Sequence, residues 1–263
     1  MRLATFNLLH GRSLTDGRVD ADRVSAAVAA LDADILGLQE VDHGQPRSGH
    51  LDLTALAADA LGAHSHRFAP AVLGTPGETW RPWTAADEAR ADPTYGIALV
   101  SRWPVLRWQA TPLPAAPVRS PIWAPGPGGG LILLRDEPRV LLAAVIDAPT
   151  GPLTVACTHL SFVPGWNVRQ LRTAVRALAQ LPAPRILLGD LNLPAALARA
   201  VSRWRILARR PTYPAVQPRT QLDHILADPR GAHRLGHVTA VDTPASTISD
   251  HRPLLVQLEP RPQ

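Results

Sequence analysis

Lysine is missing from the chain: all 27 Lys and Arg counted together are arginines, set against 22 acidic residues for a net charge of +5. The arginines are dispersed, which excludes a basic nucleic-acid-binding tail. Such an all-arginine, Ala- and Pro-rich composition is what a GC-rich genome produces. A guanidinium nevertheless presents a planar fork of donors that suits phosphate, so the charge is compatible with an anionic substrate. Cysteine occurs once, as Cys157, which rules out an intramolecular disulfide framework. Within PLTVACTHL it reads as a small apolar strand residue; the alternative, a catalytic thiol, has no visible activating environment. No apolar run reaches membrane-spanning length. The opening MRLATFNLLH lacks a basic, apolar, small-residue leader pattern and reads as a first strand, so a cytoplasmic location is expected. Two catalytic signatures are absent as well. Without GxxxxGK[ST] there is no phosphate loop for nucleotide-driven transfer, and without GxSxG there is no serine-hydrolase elbow.

What the chain does contain is apolar patterning. Its 263 residues, 46% of them hydrophobic, suffice for one large domain or two small ones. Short apolar strands are predicted at Leu3–Asn7, Ile35–Glu40, Ile97–Ser101, Val140–Ile146, Leu153–His159, Arg185–Gly189, Leu222–Leu226 and Leu254–Leu258. Helical spacing appears at Val19–Leu31, with Asp20 or Asp22 in its first turn, at Leu51–Leu61 and at Asn167–Leu181. Helix and strand alternate early and strands follow one another in the middle, which predicts an α/β fold with mixed sheets. Proline and glycine concentrate in Thr111–Gly130, a stretch unfit for a regular helix or a central strand. We take it as a long surface loop rather than a linker, so that residues 1–263 form a single domain.

The strands end on polar residues: Asn7, Gln39-Glu40, His159, Asp190 with Asn192, Asp223-His224, and Asp250-His251 just before the last strand. Singly, each has a second reading as a turn, because Asn and Asp bond to nearby backbone. Together they fit the rule that α/β ligands sit beyond strand ends. The residue types suit one chemistry. Carboxylate and carbonyl oxygens without a cysteine cluster favour Mg²⁺ or Mn²⁺ over zinc. Histidines with nearby Asp suit proton transfer and phosphate stabilisation. In GDLNLP, residues 189–194, strand alternation predicts Asp190 and Asn192 on one side with Leu191 anchored between them. Gly189 is expected to let the backbone turn, and Pro194 to begin a short helix.

In order, TFN, LQEVD, YGIALVSRWPV, THL, GDLN, LDHIL and SDHRPLL, running from Thr5 to Leu255, resemble the motifs of the endonuclease/exonuclease/phosphatase superfamily, with the pancreatic deoxyribonuclease-type fold. The resemblance covers nearly the whole chain. It implies a four-layer α/β sandwich of two facing mixed sheets flanked by helices, and metal-dependent phosphoester hydrolysis. It implies Glu40 as main metal ligand, with Asn7 and Asp250 completing or supporting the site. Asp190 would position or activate water, Asn192 would hold a phosphate oxygen, His159 and His251 would contact the scissile phosphate, and Asp223 would orient His251. Whether His251 is a base or an electrostatic stabiliser stays open. Some members pair the first histidine with an upstream Glu; Glu78 and Glu88 are the candidates, each with the plainer reading of a solvated loop acid.

QEVD at 39–42 departs from the QETK of abasic-site endonucleases and is more like the branch with lipid phosphodiesterases and deadenylases. Trp80, Trp83, Trp123 and Trp166 fall in or beside predicted loops, to pack them or to stack on a substrate. Arg47 and Ser48, just past Glu40, are candidate phosphate contacts. The expected function is a phosphodiesterase acting on nucleic acid or on a small or lipid-headgroup phosphodiester. The alternatives are a phosphomonoesterase with the same site, or a non-enzymatic protein that kept the fold. A monomer is expected.

Overall fold

The structure, a computed structural model, describes residues 1–123 and 130–260. Fifteen strands are present among them: β1 (Arg2–Asn7), β2 (Ile35–His43), β3 (Ser65–Gly74), β4 (Trp80–Pro82), β5 (Thr94–Ser101), β6 (Val105–Leu113), β7 (Arg119–Trp123), β8 (Leu131–Arg135), β9 (Arg139–Ala148), β10 (Gly151–His159), β11 (Arg185–Asp190), β12 (Arg205–Ile206), β13 (Asp223–Ala227), β14 (His237–Asp242) and β15 (Leu254–Glu259). Four α-helices join them: α1 (Ala21–Ala29), α2 (Leu53–Leu61), α3 (Trp166–Leu178) and α4 (Ala195–Ser202). One sheet runs β14-β15-β1-β2-β5-β3-β4 and the other β12-β13-β11-β10-β9-β6. Both are mixed: β1 pairs parallel with β2, and β10 with β11, while their other neighbours are antiparallel.

Period-two alternation sorts the side chains into layers. Leu3 and Ile35 of the first sheet meet Val155, Cys157, Ile186, Leu188 and Ile225 of the second in one buried cluster between the sheets. Ala4, Phe6, Leu36 and Leu38 point the other way, onto Val24, Val28, Leu53 and Ala57 of α1 and α2. Ala156, Leu187 and Leu226 do the same against Leu171, Ala174 and Leu178 of α3 and Ala198 of α4. The order is therefore helices, sheet, sheet, helices, the expected four-layer sandwich. The sheets come so close that a Cβ on Gly37 would stand 3.1 Å from Cys157 Sγ. Asp20 caps α1 by accepting from the Arg23 amide, and Asp52 caps α2 from Thr54 and Ala55.

All eight expected strands form. The others went unread because their alternation is interrupted or their residues are half-exposed. The Thr111–Gly130 stretch is not one continuous loop. Strand β6 carries it to Leu113 on the sheet edge, where Pro112 removes no central ladder bond, and β7 pairs with β8 as a separate two-stranded ribbon. Residues 124–129 lie outside the described residues. No helix is long and apolar enough to cross a membrane among the described residues.

Candidate active site

The inter-sheet face ends in polar residues at one end of the sandwich. Leu3, Thr5 and Asn7 share a face of β1; Val155, Cys157 and His159 share one of β10; Ile186, Leu188 and Asp190 share one of β11; Ile225 and Asp223 share one of β13. The strands that build the core thus deliver Asn7, His159, Asp190 and Asp223 to one place. Asn7 Nδ2 donates to Asp190 Oδ2 at 3.1 Å and to Glu40 Oε1 at 3.0 Å. Its Oδ1 accepts from the Leu9 amide, so Asn7 supports the two acids and its own oxygen is already engaged.

Glu40 breaks the alternation. Leu36 and Leu38 face the helices, and a regular strand would send Glu40 after them. A register shift between Leu38 and Val41 and a φ of 54° at Glu40 turn its carboxylate to Asn7 instead. Such a left-handed non-glycine residue costs of order 1–3 kcal/mol and persists where surrounding contacts over-determine it. Asn192 (φ 48°) and Ser249 (φ 72°) share this property. Gln39, the other half of the predicted pair, stays inside, bonded to Thr5 and Cys157 Sγ.

His251 Nδ1 donates to Asp223 Oδ2 at 2.8 Å, and its Nε2 lies 3.8 Å from Asp190 Oδ2. Burial disfavours a charged imidazole there, but Asp223, Asp190 and Asp250 outweigh it and raise His251 to about 10. Asp190 is pushed up to about 6, first by burial, with His251 pulling against it and Asp223 adding to it. Across the pocket, His159 Nε2 is 3.6 Å from the same Asp190 oxygen. Its Nδ1 accepts from Arg139 Nη1 at 3.1 Å. Burial, then Arg139 and His251, hold His159 well below the usual imidazole range.

Asn192 reaches the site by a different route from the one expected. The strand ends at Asp190, whose Oδ1 accepts the Asn192 amide at 2.9 Å, and this turn places the Asn192 side-chain nitrogen 3.3 Å from His159 Nε2 and 3.0 Å from the Leu160 carbonyl. Leu191 is buried as expected. Gly189 is required by its neighbour strand, since a Cβ would stand 1.9 Å from the Thr158 carbonyl oxygen. Pro194 is the N-cap of α4.

Two predicted substrate contacts have protein partners in this structure. Ser48 is fully buried and donates to the Gln45 carbonyl. Arg47 forks Asp42, at 2.9 and 2.7 Å, and lies over the Tyr95 ring. A one-dimensional distance from Glu40 carried no information on these partners. Glu78 and Glu88 are exposed loop acids, and His159 has Arg139 as its ring partner. Trp166 donates to the Pro114 carbonyl and Trp80 carries Arg135 over its ring, both packing roles. Trp83 is half-buried. The side chain of Trp123 lies outside the described residues. Sequence reasoning missed Arg139, Tyr213, whose ring is 4.9 Å from that of His251, and Ser249, whose hydroxyl donates to the Asn7 carbonyl at 2.6 Å. Only Ser249, inside the SDH motif, carried a signal.

Two groupings bear on metal binding. Asp190, Asp223 and His251 each bring a ligand-type atom within 4.8 Å of one another. In this grouping His251 Nδ1 is already paired with Asp223 Oδ2 at 2.8 Å. Glu40 is different: burial, then the nearby charges of Asp250 and Asp190, push its carboxyl up to about 7, against the Asn7 bond that favours ionisation. Hard oxygen donors under mutual repulsion fit a divalent cation.

A search of curated proteins returns no match. Solved structures of the same fold include an endonuclease/exonuclease/phosphatase from Beutenbergia cavernae (22% identity, TM-score 0.67, covering 97% of this chain and 70% of that one). They also include mannosyl-6-phosphatase Bt3783 of Bacteroides thetaiotaomicron (16%, 0.60, 98% and 99%) and sphingomyelinase C of Streptomyces griseocarneus (17%, 0.56, 98% and 99%). A profile of the Endonuclease/Exonuclease/phosphatase family matches residues 4–251, nearly the whole chain. The chain belongs to that family.

Proposed function

We propose that this protein is a divalent-metal-dependent phosphoesterase that hydrolyses a phosphodiester by in-line attack of water, with the whole chain acting as one domain. The observation that carries the reading is the convergence on Asp190 Oδ2: Asn7 Nδ2 at 3.1 Å, His159 Nε2 at 3.6 Å and His251 Nε2 at 3.8 Å, with Asp223 behind His251 at 2.8 Å. One carboxylate is thereby ringed by the donors that a phosphoryl group needs, and is itself free to take a proton from water.

In this reading Asp190 positions the nucleophilic water and accepts its proton as the oxygen attacks phosphorus. His251, held as an imidazolium by Asp223, stabilises charge growing on a non-bridging oxygen. His159 and Asn192 hold the opposite side of the group. Asn7 keeps the Asp190 and Glu40 carboxylates apart and aimed. Glu40 and Asp250 would hold Mg²⁺ or Mn²⁺, with Asn7 in support; the ion supplies Lewis-acid stabilisation of the developing phosphoryl charge.

A diester is favoured over a monoester by the use already made of the nearby arginines. Arg47 is committed to Asp42 and Arg139 to His159, so neither matches the second charge of a terminal phosphate. The phosphomonoesterase reading has its own support in the fold shared with the mannosyl-6-phosphatase over 99% of that chain. The test is a panel of plasmid DNA, single-stranded RNA, bis-p-nitrophenyl phosphate, p-nitrophenyl phosphate and sphingomyelin, each with Mg²⁺, Mn²⁺ or EDTA. We expect metal-dependent turnover of a diester. Turnover that survives EDTA contradicts the metal reading. Turnover of p-nitrophenyl phosphate alone moves the assignment to a monoesterase, and tight binding without turnover moves it to a non-enzymatic protein.

A further inference from the structure

His159 and His251 flank the same carboxylate oxygen, yet their rings are held by partners of opposite charge. Behind His251 stands an anion, Asp223, which accepts from Nδ1. Behind His159 stands a cation, Arg139, which donates to Nδ1. A guanidinium has five donors, no acceptor, and does not deprotonate in proteins. Nδ1 of His159 must therefore present a lone pair, and the single ring proton of the neutral imidazole is left to Nε2, which faces Asp190 Oδ2 at 3.6 Å; the Asn192 side-chain nitrogen, 3.3 Å from Nε2, donates to the Leu160 carbonyl at 3.0 Å.

The arrangement is built for that contact. Arg139 is 7% exposed, and among the described residues His159 Nδ1 is the acceptor its guanidinium reaches at hydrogen-bond distance. Its carboxylate neighbours, Glu137 at 3.7 Å and Asp136 at 4.0 Å, compensate charge from farther away. A buried arginine that directs its one direct hydrogen bond to an imidazole is poorly explained as a general stabilising pair.

We propose that Arg139 is a positioning residue that locks His159 in the Nε2–H tautomer and so makes it a permanent, uncharged hydrogen-bond donor to the scissile phosphoester. The assignment rests on the phosphoesterase reading only for what the donor meets. The two histidines are then not equivalent: His251 contributes charge and His159 contributes direction. His159 is excluded as a general base, because Nε2 carries a proton and Nδ1 is occupied. Facing its ring are Arg139 from β9, Asp190 and Asn192 from β11 and the turn after it, His251 from the loop before β15, and Tyr95 of β5, which lines the small cavity beside it. Asp190 is the one anion of this set at close range. It is shared with His251, so a fall in pH does not leave His159 as the favoured proton acceptor.

The decisive experiment is ¹⁵N–¹H NMR of the histidine rings in the full-length wild-type chain, with and without Mg²⁺, with His159→Gln used to assign the resonance. We expect Nδ1 unprotonated and Nε2 protonated from pH 8 down to pH 5.5. An Nδ1–H tautomer, or protonation of both nitrogens in that interval, overturns the proposal. Kinetics on bis-p-nitrophenyl phosphate supply a second arm. Arg139→Leu should lower kcat roughly 10- to 100-fold with little change in KM, as for other partners that orient an active histidine. Arg139→Lys, which restores a donor, should recover part of the loss. Arg139→Glu should invert the tautomer and introduce a histidine ionisation into the pH profile. If Arg139→Glu leaves both the ring spectrum and the profile unchanged, the proposal fails. If the spectrum is as expected but no phosphoester is turned over, the phosphoesterase reading fails and the tautomer assignment stands.

Discussion

The Ser249 hydroxyl donates to the Asn7 carbonyl at 2.6 Å and its oxygen accepts from the His251 amide at 3.0 Å. One side chain thereby ties the end of β1 to the loop that carries Asp250 and His251, across 242 positions of sequence. It sets where the imidazole stands relative to Asn7 and Asp190. Ser249→Ala removes both bonds and leaves a buried carbonyl short of a donor. We expect a loss of about 1–3 kcal/mol in a urea unfolding experiment and a fall in kcat larger than any change in KM. Unaltered kcat in the folded variant would show that the tie has no part in placing His251.

Asp223 orients His251 and is the foremost of the carboxylates that raise its pKa. In Asp223→Asn the amide no longer stabilises an imidazolium, and kcat should drop roughly 10²- to 10⁴-fold while circular dichroism stays native. The sign of the pH effect follows from the raised pKa. His251 is charged below about 10 in the wild type, so activity that depends on its charge is present at neutral pH and lost as pH rises through that value. In the variant the loss should move toward neutrality, and pH–rate profiles of the two proteins decide it.

Glu40 is the proposed centre of cation binding, and its carboxyl is pushed up to about 7 by burial and then by Asp250 and Asp190, a cost to the carboxylate that a cation would relieve. Adding Mg²⁺ or Mn²⁺ should therefore stabilise the fold, by about 2.7 kcal/mol at a hundred times Kd. Glu40→Gln should abolish most of that increment. Differential scanning fluorimetry is sufficient, and a wild-type Tm indifferent to both ions would rule the site out.

Cys157 lies between the sheets, where Gln39 donates to its sulfur, and burial pushes its thiol up to about 12. It should be inert to thiol reagents in the native protein at pH 8 and react once per chain in urea. Because the folded thiol titrates above an unfolded one, its contribution to stability is complete below the ordinary thiol range. That contribution is lost as pH rises from about 9 through about 12.

Gly189→Ala tests the close approach of β10 and β11. Its Cβ would meet backbone rather than a movable side chain, and the φ of 149° is one that L-residues rarely adopt. Insoluble protein, or destabilisation beyond about 4 kcal/mol, is expected on expression. A native Tm would mean that the two strands separate more easily than their register implies.

The eight strongest strands were legible because each buries an alternating or continuous apolar run, and such runs are local properties of the chain. The polar residues at their ends were legible for the same reason, and their types pointed to hard-cation phosphoester chemistry before any coordinates. What the sequence could not contain were pairings between distant residues. Arg47 and Ser48 follow Glu40 closely, yet Asp42 and the Gln45 carbonyl claim them. Arg139 opens an unremarkable apolar strand, yet its guanidinium decides the tautomer of a histidine 20 positions on. Glu40 sits in strand register with the helix-facing leucines, and a bulge against β5 turns it into the site. Sequence by itself determined which residues this protein brings to its strand ends. Tertiary structure decided which of them meet and which charges are already paired, because those outcomes depend on contacts between segments that only folding brings together.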